Sequence, residues 1–197
     1  MIPMKQALVR AGHPVLNVDY PSRTASVEAL SEEAIGTAVR ACRVNGAVAI
    51  HFIAHSLGGI LIRSFLARHD IPNLGRVVML GPPNQGSEVV DKLGSFWLFN
   101  KINGPAGNEL GTSEKSTPNK LGPANFCVGV IAGSRSINWV NSLQIPGCDD
   151  GKVSVKRTRL AGMTDHIVIP AAHPFLMRSP TAIRQTIHFL HNGRFKH

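Results

Sequence analysis

The sequence predicts an α/β fold, a mostly parallel sheet covered by helices on both faces. Two observations carry this expectation. Short apolar runs, suited to strands buried on both faces, recur along the 197 residues. Segments of helical periodicity stand between them, and alternating strands and helices give parallel pairing. No internal repeat is visible, and the length suits one domain with a real core.

Taken in order, residues 15–20 (VLNVDY) read as a short strand after His13 and Pro14. Ser26 reads as an N-cap, opening an amphipathic helix over residues 27–44. Residues 47–55 form an almost continuous apolar run and are expected to be a buried strand. A helix follows over residues 57–68. Residues 76–80 (RVVML) are a further buried strand, stopped by Gly81, Pro82 and Pro83. Residues 84–125 are rich in Gly, Pro, Asn and Ser and read as a lid-like insertion with short helices. Its apolar patch is Phe96, Trp97, Leu98 and Phe99. That patch could line an acyl pocket, but ordinary core packing is the simpler expectation. Residues 126–132 (FCVGVIA) and 165–169 are the last strands. Ser179 and Pro180 open a final helix running to about His191, and Gly193 stops it.

Composition narrows the function classes. Hydrophobic residues are 43% and charged residues 17%, the balance of a folded chain and not of a disordered one. No apolar run reaches the roughly 18 residues of a membrane span. Lys and Arg number 21 against 12 Asp and Glu, a net charge of +9. The basic residues are scattered, and the densest group (Lys152, Lys156, Arg157, Arg159) lacks interleaved aromatics. A nucleic-acid partner is therefore not expected. Anionic substrates and peripheral contact with lipid head groups stay open. Three widely spaced cysteines give no zinc-type pair or disulfide framework. Cys42 and Cys127 are expected to be small buried hydrophobes. The first residues carry no secretory leader, so a cytoplasmic location is expected.

The chemistry centres on the stretch Ala54-His55-Ser56-Leu57-Gly58-Gly59. It lies between a buried strand and a helix, the context in which a serine is lifted on a tight turn. Such a turn needs small residues two before and two after the serine, and Ala54 and Gly58 supply them. The Leu57 N–H, at the helix N-terminus, would stabilise developing negative charge. A serine nucleophile needs a base, and the base needs an orienting acid. His173 is the preferred base because it lies in a loop between the last strand and the last helix. His69 ends the helix after Ser56, His166 lies within a strand, and His188 and His191 are helical. Asp150, before Gly151, is the preferred acid, with Asp149 a close rival and Asp91 and Asp165 weaker. A tight turn without chemistry is the bland alternative. The flanking strand and helix, with Asp and His following in order, favour the chemical reading.

With these residues in view, the chain resembles the small lipase and esterase families of the α/β-hydrolase superfamily. The resemblance rests on AHSLGG around Ser56, DDGKV around Asp150 and AAHPF around His173, and residues 81–87 (GPPNQGS) add to it. It covers residues 15 to about 195. It implies hydrolysis of a small-molecule ester through an acyl-enzyme on Ser56, with Asp150 and His173 completing a triad, and without metal or cofactor. Residues 3–11 are similar to the family's first helix. The family's earlier strands, and the His-Gly loop that supplies a second oxyanion donor, have no counterpart in this sequence. The expectation is a sheet lacking the first strands. Two other functions fit the same residues: an acyltransferase using the same triad, or a binding module derived from such an enzyme. Oligomeric state is not readable.

Overall fold

The computed structural model describes residues 1–93, 104–137, 142 and 145–197. Its centre is a four-stranded sheet, β1 (Ile50–His55), β2 (Leu74–Leu80), β3 (Val128–Gly133) and β4 (Asp165–Ile169). The strands lie side by side in chain order, and every neighbouring pair is parallel. All six residues of β3 are buried, as are the last four of β2. Such continuous burial is what a sheet covered on both faces requires.

Two cores show the coverage. On one face Val77, Met79, Val128 and Val130 pack with residues of three helices: α2 (Val27–Leu30), α3 (Thr37–Val44) and α4 (Leu57–Leu66). On the other, Val78, Leu80, Ile131, Ile167 and Ile169 pack against α1 (Ile2–Arg10) and the C-terminal helix (Pro180–Asn192). Neighbouring residues of β2 thus serve opposite cores, the period-2 geometry of a strand. The expected helix over residues 27–44 is present, but its middle, Ser31–Gly36, is wound as a π-helix. The Ser26 hydroxyl caps it by accepting the Ala29 N–H. The final helix carries its cap at Ser179, Pro180 in its first turn and Gly193 in the left-handed region at its end.

Two expectations fail. Residues 15–20 form no strand: Leu16 and Val18 face solvent, and the segment has no regular structure. Its apolar alternation finds no strand to pair with, and Pro14 and Pro21 bound it. Cys42 and Cys127 are half-buried, packed at the margins of the two cores.

Two features position the turn at Ser56. A Cβ on Gly59 would lie 3.2 Å from Met79 Sδ and from Pro82 Cβ, so α4 seats closely on the end of β2. Arg63 on α4 is 5% exposed, and its guanidinium donates to the carbonyls of Asn84, Pro118 and Gly122. Between those anchors lie short helices, α5 (Glu88–Leu93) and α6 (Thr117–Lys120). The apolar patch at 96–99 lies outside the described residues. Among the described residues, no helix is long and apolar enough to cross a membrane.

Candidate active site

Strand β1 delivers Ser56 to the start of α4. Its φ of 54° makes it the only non-glycine residue with a positive φ among the described residues. Such a conformation costs on the order of 1–2 kcal/mol and persists only where surrounding structure enforces it. Here the Ser56 N–H donates to the Leu80 carbonyl on β2, and its own carbonyl accepts the Gly59 N–H. A Cβ on Gly58 would stand 3.3 Å from Ala54 Cβ, so both positions must stay small. Leu57 is the first residue of α4.

The loop after β3 brings Asp150, and the loop after β4 brings His173. Both are buried. His173 Nδ1 lies 2.7 Å from Asp150 Oδ2, and His173 Nε2 lies 3.0 Å from Ser56 Oγ. The carboxylate can only accept at Nδ1, so the neutral ring carries its proton there and Nε2 is free to accept from the serine hydroxyl. Asp150 is itself fixed. Its Oδ1 accepts the N–H groups of Lys152 (3.0 Å) and Val153 (2.9 Å), and its carbonyl accepts the His173 N–H at 2.9 Å.

Asp149 turns elsewhere. Its Oδ1 accepts from Ser142 Oγ and from the Gly151 N–H, which shapes the loop. The other rivals are engaged away from Ser56. Asp91 accepts from Thr112, Asp165 accepts the Phe195 N–H, and His69 meets Glu32. His188 donates to the Arg194 carbonyl, and His191 meets His13. A cavity of about 540 Å³, lined by residues including Asp91, Glu109 and Lys120, includes none of Ser56, Asp150 or His173.

Two residues at this site escape sequence reasoning. Gly81, with φ of 55°, lies under the Asp150–His173 contact. A Cβ there would stand 3.0 Å from Asp150 Oδ2 and 3.1 Å from His173 Nδ1. His55 lies beside His173, with ring centroids 4.6 Å apart. The available signal for His55 is a polar residue closing an apolar strand next to Ser56. The segment after Gly81 braces the loop that carries Asp150 as well. Ser87 Oγ donates to the Lys152 carbonyl, and Glu88 pairs with Arg157 at 2.8 Å.

Two histidines are held neutral. Burial pushes His55 and His166 down to about 4, from an ordinary value near 6.5. Above about pH 6.5 neither folded nor unfolded chain protonates them. As pH falls from 6.5 towards 4, the unfolded chain binds the proton first and stability is lost. His166 Nε2 faces Thr158 Oγ1 at 3.0 Å, and that hydroxyl already donates to the Val155 carbonyl. His166→Gln keeps a donor there but cannot titrate. Its unfolding midpoint, followed by circular dichroism, is expected to fall less than the wild-type midpoint between pH 6.5 and 4.

No protein-family model matches the sequence, and no curated protein matches it significantly. Solved structures do match. The mature form of Bacillus licheniformis lipase BlEst2 superposes with a TM-score of 0.77 at 18% identity, over 95% of this chain and 83% of that one. Phospholipase PlaB from Legionella pneumophila gives 0.60 at 20% identity, over 78% of this chain and 40% of that one. The product of Listeria innocua gene lin2722 gives 0.54 at 19%, over 88% and 69%. With its parallel sheet, its helices on both faces and these likenesses, the chain has an α/β-hydrolase fold.

Proposed function

We propose that the chain is a serine hydrolase that cleaves carboxylic esters through an acyl-enzyme on Ser56. The observation that carries this reading is the continuous contact from Ser56 Oγ to His173 Nε2 and from His173 Nδ1 to Asp150 Oδ2. The fold neighbours named lipase and phospholipase support the same class.

In this scheme Ser56 Oγ attacks the ester carbonyl while His173 Nε2 takes its proton. The charge on the carbonyl oxygen falls at the N-terminus of α4, where the Leu57 N–H is the donor from this turn. Asp150 holds the imidazole in the required tautomer and stabilises its cation. His173 then returns the proton to the departing alcohol, leaving the acyl group on Ser56. Water, deprotonated by His173, releases the acid and restores the serine. No metal or cofactor enters these steps.

The test is covalent labelling. A fluorophosphonate probe is expected to modify Ser56 in the folded chain, read by peptide mass spectrometry, and Ser56→Ala is expected to abolish it. Labelling that survives Ser56→Ala overturns the reading.

A further inference from the structure

We propose that His55 is a positioning residue for His173, a donor that ties the base to the strand carrying the nucleophile. This rests on the reading of Ser56 and His173 given above. His55 Nε2 lies 2.9 Å from the His173 carbonyl oxygen. A carbonyl can only accept, so Nε2 must bear the proton. His173 is thereby held at four points. Its N–H donates to the Asp150 carbonyl, its own carbonyl accepts from His55, and its two ring nitrogens face Asp150 and Ser56.

The His55 contact differs from the others in where it leads. Asp150 belongs to the loop after β3, so its hold alone would let the base move with that loop. His55 is the last residue of β1 and is bonded covalently to Ser56. Through it, the backbone at His173 is referenced to the same strand end that lifts the serine. The 3.0 Å separation of Nε2 and Oγ therefore does not depend on the acid loop alone. The two imidazoles also pack on one another at 4.6 Å, which limits rotation of the His173 ring.

Neutrality matters to this role. His173 must become a cation during proton transfer, and a second cation beside it would oppose that. Burial keeps His55 uncharged through the neutral range, its value pushed down to about 4. Asp150 favours a charged His55, but the neighbouring His173 and Lys152 disfavour it. A lysine or arginine at position 55 could also donate to the carbonyl, but would bring a permanent charge.

Three measurements test this. Nitrogen-15 NMR of histidine-labelled wild-type protein at pH 7 is expected to show His55 neutral with its proton on Nε2. A cation, or a proton on Nδ1, overturns the proposal without any variant. His55→Gln and His55→Met are near in size, but only glutamine keeps a donor at the Nε2 position. The methionine variant leaves a carbonyl unpaired and the base loose. It is expected to lower kcat by about 10- to 100-fold, with KM within about twofold. The glutamine variant is expected to recover most of that loss. Equal rates for the two variants overturn the proposal. Fluorophosphonate labelling of the wild type separates this from the larger reading. If Ser56 does not label, both fail. If it labels and the two variants label equally fast, only the role of His55 fails.

Discussion

Replacing Asp150 with asparagine is expected to lower kcat for a short-chain ester by about 10,000-fold while the chain stays folded. The direction follows from the hydrogen bonds at this side chain. Oδ1 accepts two backbone N–H groups, from Lys152 and Val153. In Asp150→Asn that oxygen position must stay an oxygen, because an amide nitrogen would face two donors. The NH2 group then falls where Oδ2 meets His173 Nδ1 at 2.7 Å. It can only donate there, which moves the ring proton to Nε2. His173 would then present a donor to Ser56 and could not take its proton. Asp149→Asn makes the informative contrast. Its carboxylate meets Ser142 and the Gly151 N–H instead of the histidine. Activity is expected to fall far less, and any loss should appear with reduced stability. Steady-state ester turnover with a thermal melt for each variant checks both. Equal losses from the two would overturn the assignment of Asp150.

The second large effect is expected at Gly81. In Gly81→Ala the new Cβ meets Leu176 Cδ1 at 2.8 Å, Asp150 Oδ2 at 3.0 Å and His173 Nδ1 at 3.1 Å. At least one of those groups must give way. A displacement of about 1 Å at a base can cost about 100-fold in rate. The residue also has a positive φ, which adds on the order of 1–2 kcal/mol of strain for an L side chain. Gly46→Ala separates these two effects. Gly46 has φ of 71°, but nothing lies within 4 Å of its would-be Cβ. It is expected to lose only the stability that φ strain costs, read in denaturant, while keeping its ester turnover. If Gly81→Ala turns over at the rate of Gly46→Ala, the crowding at the acid and base has no catalytic weight.

Much of this arrangement is legible in the chain because it is local. The apolar runs at β2 and β3 announce strands buried on both faces, and Ser179, Pro180 and Gly193 mark the ends of the last helix. The order Ser56, Asp150, His173 can be read because Ser56 and His173 lie just past a strand and Asp150 sits in the long loop that follows another. What could not be read depends on pairing and proximity. Residues 15–20 alternate as a strand would, yet a strand exists only with a neighbour to accept its ladder. Asp149 and Asp150 are adjacent and chemically identical. They differ only in which backbone amides their oxygens meet once the loop has folded. Gly81 and His55 lie beside His173 only because parallel strands end together. Nothing in the residues around either one states that they will be neighbours of a residue about a hundred positions away.

The guanidinium of Arg63 has a consequence for engineering. It grips the chain at Asn84 and again at Pro118 and Gly122, so both stems of the intervening segment are fastened to the helix that begins beside Ser56. Burial lowers its pKa to about 10, and at neutral pH it still holds its charge against those carbonyls. The segment is therefore a cassette with fixed sockets. Foreign sequence of other lengths, spliced between residues 93 and 104, would start and finish at the same two anchors. A library built there would vary the inserted sequence while leaving the anchors on α4 in place.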